Sequence, residues 1–191
     1  MKIELKVEVD SAKNIHPAME IKPAMNLMQA TNLRAAGAGG LRRVRIQNVK
    51  SKNFLGIEGD EWGSDSLNLA IRELSGLPPR ESPQVWILFP FREDNVFWLV
   101  NQYSGYLASV NGQSLDNDAR VIQYPCEFVA EKPTFQEWEF VQRNGRVLIK
   151  NMHSQKFIGP KGRATNDGQL CIQYEDQSGS DNYQEWILAD V

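Results

Sequence analysis

Gln84-Val85-Trp86, Gln136-Glu137-Trp138 and Gln184-Glu185-Trp186 are one phrase written three times, at intervals of 52 and 48 residues. Each closes a segment that opens on a related apolar phrase: Val44-Arg45-Ile46-Gln47-Asn48, Trp98-Leu99-Val100-Asn101 and Leu148-Ile149-Lys150-Asn151. An internal repeat of this length constrains a fold more than any single residue, because each unit is one supersecondary element that its neighbours must complete.

Outward from the tripeptides the units align. Repeat one reads Ile46-Gln47-Asn48-Val49-Lys50-Ser51-Lys52-Asn53-Phe54-Leu55-Gly56, and repeat three reads Ile149-Lys150-Asn151-Met152-His153-Ser154-Gln155-Lys156-Phe157-Ile158-Gly159. Repeat two, Leu99-Val100-Asn101-Gln102-Tyr103-Ser104-Gly105-Tyr106-Leu107-Ala108, is one residue shorter. The shared skeleton is apolar, Asn, two residues, Ser, then aromatic-apolar-small. Asn and Ser bond the local backbone, so this is a strand, a polar turn and a second strand. Third strands are expected at 67–71, 120–124 and 169–174, and fourth strands at 85–88, 137–141 and 185–188. Asp94-Asn95 and Asn144-Gly145 read as the turns that join consecutive repeats.

Four strands per unit make twelve in all. A single unit cannot bury its apolar face, whereas three around an axis can, and closure removes the exposed sheet edges. The expected fold is all-β: a threefold barrel with a hairpin cap, its three Trp converging as core anchors. The expected division is an N-terminal arm over 1–40 and a β-trefoil over 41–191, with repeats at about 41–90, 91–143 and 144–191. In the arm, Ile3, Leu5, Val7 and Val9 alternate with charged residues, the period of a half-exposed strand. Three of the five methionines follow within 11–34. This segment is either an arm or a partner interface, with a homo-oligomer among its outcomes.

Bulk composition narrows the function. Of the 191 residues, 41 % are apolar and 24 % charged, with a net charge of −3, as in an ordinary soluble domain. The repeats contain no long basic run, so a nucleic-acid partner is not expected. No apolar stretch approaches the roughly 20 residues of a membrane span. The first ten residues lack the apolar core of a signal peptide, which predicts a cytoplasmic protein or one released without classical secretion. Two cysteines, Cys126 and Cys171, are too few for a stapled scaffold and read as small buried apolar residues. His16 and His153 have no metal-ligand spacing around them, and no acid–base pair or nucleophile emerges, so neither a metal, a cofactor nor an enzyme is expected.

The threefold Gln-x-Trp phrase, with its apolar–Asn–x-x–Ser opening and Ile-Gln-Tyr third strand, resembles the ricin B-like (R-type) lectin β-trefoil over roughly residues 41–190. The resemblance implies a sugar site of three parts: an acid just after the leucine of the second strand, an aromatic at the end of the third, and an Asn before the Gln of Gln-x-Trp. Here the acid position holds Gly56, Ala108 and Gly159, and the Asn position holds Pro83, Phe135 and Tyr183. Only the aromatic remains, as Tyr124 and Tyr174. A glycan or glycoprotein ligand must then use other groups. Repeat two offers Asp116, Asn117 and Asp118 ahead of Tyr124; repeat three offers Asn166 and Asp167 ahead of Tyr174. The bland reading of both stretches is a good turn. Trp62, in a polar Gly-flanked loop with no counterpart in the other repeats, reads either as a barrel cap or as a contact residue.

The leading expectation is a carbohydrate-binding, lectin-like trefoil without catalysis that recognises glycans through its inter-strand loops. The alternatives are a protein-binding trefoil resembling the fungal protease inhibitors, or the targeting subunit of a larger toxin or adhesin assembly.

Overall fold

A computed structural model of the chain describes residues 41–59, 62–91, 93–127, 134–177 and 181–191. The N-terminal strand and arm read over 1–40 lie outside the described residues. The rest is all-β, a β-trefoil. Its strands are β1 (Arg42–Asn48), β2 (Phe54–Ile57), β3 (Leu69–Arg72), β4 (Trp86–Phe91), β5 (Glu93–Asn101) and β6 (Leu107–Val110). They continue as β7 (Val121–Tyr124), β8 (Glu137–Arg143), β9 (Arg146–Asn151), β10 (Phe157–Pro160), β11 (Gln169–Tyr174) and β12 (Glu185–Asp190).

β1, β4, β5, β8, β9 and β12 pair antiparallel in a closed ring, the barrel. The hairpins β2–β3, β6–β7 and β10–β11 form the cap. Closure leaves the barrel without an open edge. Trp86, Trp138 and Trp186 are each fully buried in one apolar cluster that includes residues of all three repeats. Burying such a ring is worth about 2–3 kcal/mol. Each indole N–H is also satisfied, donating to the carbonyl of the residue after the aromatic of its own second strand: Leu55 (2.9 Å), Ala108 (2.9 Å, one residue further on) and Ile158 (3.2 Å).

The Asn of each opening phrase joins one repeat to the one before it. Asn48 Nδ2 donates to the carbonyl of Tyr183 (2.7 Å), Asn101 to Pro83 (2.8 Å) and Asn151 to Phe135 (3.0 Å). The amide oxygens accept the turn N–H groups of Ser51, Ser104 and Ser154 at 3.0–3.1 Å. All three Asn are fully buried, which explains why an amide, donor and acceptor at once, is fixed there.

One connection departs from the sequence reading. Asp94-Asn95 is not a turn but part of β5, which starts at Glu93. A register shift between Pro90 and Phe91 lengthens the β4–β5 hairpin. There Trp98 stacks between Phe89 and Phe91, with ring centroids at 5.9 and 4.2 Å. Apolar packing along the hairpin overrides local turn chemistry. Asn144-Gly145 does form the expected turn, with φ of 50° and 76°.

Candidate functional site

The cap brings three walls together in each repeat. One is the turn after the second strand. Asn111-Gly112-Gln113 follows β6 and Lys161-Gly162-Arg163 follows β10, each a single 3-10 turn. The central glycines sit at φ 62° and 64°, a left-handed conformation that costs other residues energy. The second wall is the stretch after the third strand, which the buried Gln of Gln-x-Trp clamps. Gln136 donates to the Pro125 carbonyl (2.8 Å) and to Ser109 Oγ (2.9 Å), and accepts the Glu127 N–H (2.7 Å). Gln184 repeats this with the Glu175 carbonyl (3.0 Å) and the Gln177 N–H (2.7 Å). The third wall is the residue before that Gln.

Three different residues at that last position make three different surfaces. In repeat two, Phe135 leaves a cleft of about 280 Å³. It is lined by Asn111, Gly112 and Gln113, by Tyr124 and Glu127, and by the buried Val110 and Ile122. The Asn111, Gln113 and Glu127 side chains are exposed, and Tyr124 is half-buried. In repeat three, Tyr183 fills the equivalent place and is 3 % exposed. Its hydroxyl donates to Gln177 Oε1 (3.1 Å), and the Arg163 guanidinium lies 5.2 Å from its ring centre while donating to the same Gln177 oxygen (2.6 Å). Beside it Lys50 pairs with Asp181 at 2.8 Å. Burial acts to raise the Asp181 carboxyl, but the Lys50 hydrogen bond and charge, a backbone bond at Tyr183 and the charge of Arg163 outweigh it and hold the group below the usual carboxylate range. Burial raises the Tyr183 phenol. In repeat one the described residues Trp62, Arg72, Glu73 and Pro83 line a crevice of about 50 Å³.

Of the residues singled out in the sequence, Tyr124 lines the repeat-two cleft. Asp116, Asn117 and Asp118 do not; their loop crosses to repeat three. Buried Gln173 captures it by donating to the carbonyls of Ser114 (2.8 Å) and Asp116 (2.9 Å), and the Asp118 N–H returns a bond to the Gln173 carbonyl (3.0 Å). Asn117 Oδ1 accepts the Glu175 N–H (3.1 Å), which places this loop beside Tyr174 rather than Tyr124. The next loop makes the same crossing. Asp167 Oδ1 accepts the Glu73 N–H (2.7 Å) and lies 3.4 Å from Arg72 Nε, while the Asn166 carbonyl accepts the Gln169 N–H within an exposed turn. Trp62 is half-buried against the core, edge-on to Tyr103 with centroids 5.5 Å apart, and its carbonyl accepts from Gln123.

Asn111, Gln113 and Glu127 escaped the sequence reading. The signal available was the glycine at one offset after two second strands, Gly112 and Gly162, which marks matching turns. Both cysteines are free thiols. Cys171 is buried and its thiol pushed far up by burial; half-buried Cys126 is pushed up to about 11 by burial and the nearby Glu127 charge. Among the described residues no three His, Cys, Asp or Glu side chains converge, and no helix is long and apolar enough to cross a membrane.

Residues 32–124 match the family model for the ricin-type β-trefoil lectin domain-like proteins. No curated protein matches in sequence. Among solved structures, the designed threefold-symmetric protein ThreeFoil is 29 % identical, with a TM-score of 0.68, 78 % of this chain covered and 99 % of that one. An exo-β-1,3-galactanase from Clostridium thermocellum is 25 % identical, with a TM-score of 0.65 and 78 % of this chain covered, but the match spans only 30 % of the galactanase. The Macrolepiota procera ricin B-like lectin, solved with lactose, shares the fold at 14 % identity, with a TM-score of 0.60, 80 % of this chain and 98 % of that one covered. The chain thus has a β-trefoil fold, and residues 32–124 match the ricin-type lectin domain-like family that its threefold phrase resembles, with that motif's acid and Asn positions replaced in every repeat.

Proposed function

We propose that this ricin B-like β-trefoil is a non-catalytic carbohydrate-binding protein that takes a glycan in the cleft of repeat two. The observation that carries the reading is the inequality of three equivalent places among the described residues: about 280 Å³ open in repeat two, about 50 Å³ in repeat one, and Tyr183 in repeat three. The cleft's chemistry suits a sugar. The Tyr124 ring and Phe135 supply apolar surface for the face of a pyranose. Asn111 and Gln113 supply amide donors and acceptors, and Glu127 a carboxylate acceptor, for its hydroxyls. A few directed polar groups around apolar contact are what small-ligand sites need. The lectin-type family match and the lectin neighbours support carbohydrate as the ligand class.

The test is a glycan array run with the full chain and with Tyr124→Ala. Binding to at least one of galactose, N-acetylgalactosamine, mannose or chitin-type glycans, lost in the variant, is expected. Silence of the wild-type chain across the array contradicts the reading.

A further inference from the structure

We propose that Glu127 is the specificity-determining acceptor of the repeat-two cleft, and that it restricts the site to neutral glycans by repelling sialylated, sulfated and uronate-bearing ones. This rests on the reading of the cleft as the glycan site.

Three observations lead to it. First, among the described residues Glu127 is the one charged side chain lining the cleft. An anionic sugar entering there meets that carboxylate. Second, Glu127 is held in place from behind. Its own N–H bonds Gln136 Oε1 at 2.7 Å, and the same Gln136 is fully buried and anchored to Ser109 and Pro125. The backbone at Glu127 is thus tied to the core, while its carboxylate is exposed. The fixed backbone keeps the carboxylate at the cleft, within reach of ligand hydroxyls.

Third, repeat three reverses the sign at matching positions. Lys161 and Arg163 stand where repeat two has Asn111 and Gln113, and Gln177 stands where it has Glu127, each clamped by the Gln of its own Gln-x-Trp. The cationic version of the place is the one that Tyr183 fills. The open version carries a negative charge and two neutral amides. Like-charge juxtaposition is the usual way a site rejects a wrong partner.

The experiment is a glycan array carrying neutral, sialylated, sulfated and uronate-bearing glycans, followed by calorimetric titration of the strongest hits. The full chain is compared with Glu127→Gln and Tyr124→Ala. Hits lost in Tyr124→Ala are expected to be neutral. Glu127→Gln is expected to weaken them about tenfold, the value of a hydrogen bond to a charged acceptor, and to narrow the gap between a neutral glycan and its acidic counterpart. Glu127 is exposed, so the variant's melting temperature should stay with the wild type. If Tyr124-dependent binding is found but Glu127→Gln changes neither affinity nor the neutral-to-anionic ratio, this inference fails and the glycan site stands. If acidic glycans bind through Tyr124 as strongly as neutral ones, it fails likewise. If no glycan of any class binds the wild type, the reading of the cleft falls and the inference with it.

Discussion

The ring of Tyr183 lies directly on Gly159: a Cβ at position 159 would stand 2.9 Å from Tyr183 Cε2 and 3.0 Å from Cδ2. These two residues occupy the acid and Asn positions of the lectin motif in repeat three. Their replacement is therefore one change made from two sides: the glycine makes room for the ring, and the ring stands where the lectin motif has its Asn. Arg163 over the ring and Gln177 at its hydroxyl complete the filling.

Restoring the motif one residue at a time should accordingly fail. Gly159→Asp alone overpacks against the ring and is expected to cost about 2 kcal/mol or more. In a Tyr183→Asn background the same change should cost much less, giving a coupling of about 1–3 kcal/mol in a double-mutant cycle. Urea unfolding of the four proteins measures it; additive effects within about 0.5 kcal/mol would show that the two sites are independent.

The Asn staples make a second prediction. Asn101→Ala removes the donor to the buried Pro83 carbonyl and the acceptor for the Tyr103 and Ser104 N–H groups. Leaving buried groups without partners should cost about 2–3 kcal/mol. Asn166→Ala, in an exposed turn, should stay within about 0.5 kcal/mol of wild type. Equal losses at the two positions in chemical denaturation would sink the account of the repeat joints.

These staples were legible in the sequence because they recur. Asn48, Asn101 and Asn151, the three buried Gln and the three Trp stand at matching offsets, and three structural tasks, each done once per repeat, explain all nine. The candidate site was less legible because it lies where the repeats differ. Asp116, Asn117 and Asp118 precede Tyr124 in the chain, yet Gln173 draws their loop onto the next repeat, a long-range capture that local spacing does not encode. Glu127 follows Tyr124 closely but matters only through its clamp to Gln136, again a tertiary contact. The β4–β5 hairpin hid for a related reason, since the stacking of Trp98 on Phe89 and Phe91 decides where it turns.

Acid should loosen the filled place in repeat three. The Asp181 carboxyl is held below the usual carboxylate range in the folded state, chiefly against burial, by Lys50 and Arg163. A group with a depressed folded pKa contributes stability above its unfolded value, near 3.9, and that contribution is lost as pH falls through the folded value. Between pH 5 and about 2, the melting temperature of wild type should therefore fall more steeply than that of Asp181→Asn. Parallel pH profiles for the two proteins would remove Asp181 from the account.

The central claim is that one repeat, the second, holds the ligand. Calorimetric titration of the full chain with its best array glycan measures this most directly, because it returns the number of sites together with the affinity. The predicted result is one glycan per chain for wild type and no measurable binding for Tyr124→Ala, with the folded signal intact. Two or three glycans per chain, or undiminished binding by Tyr124→Ala, would contradict it.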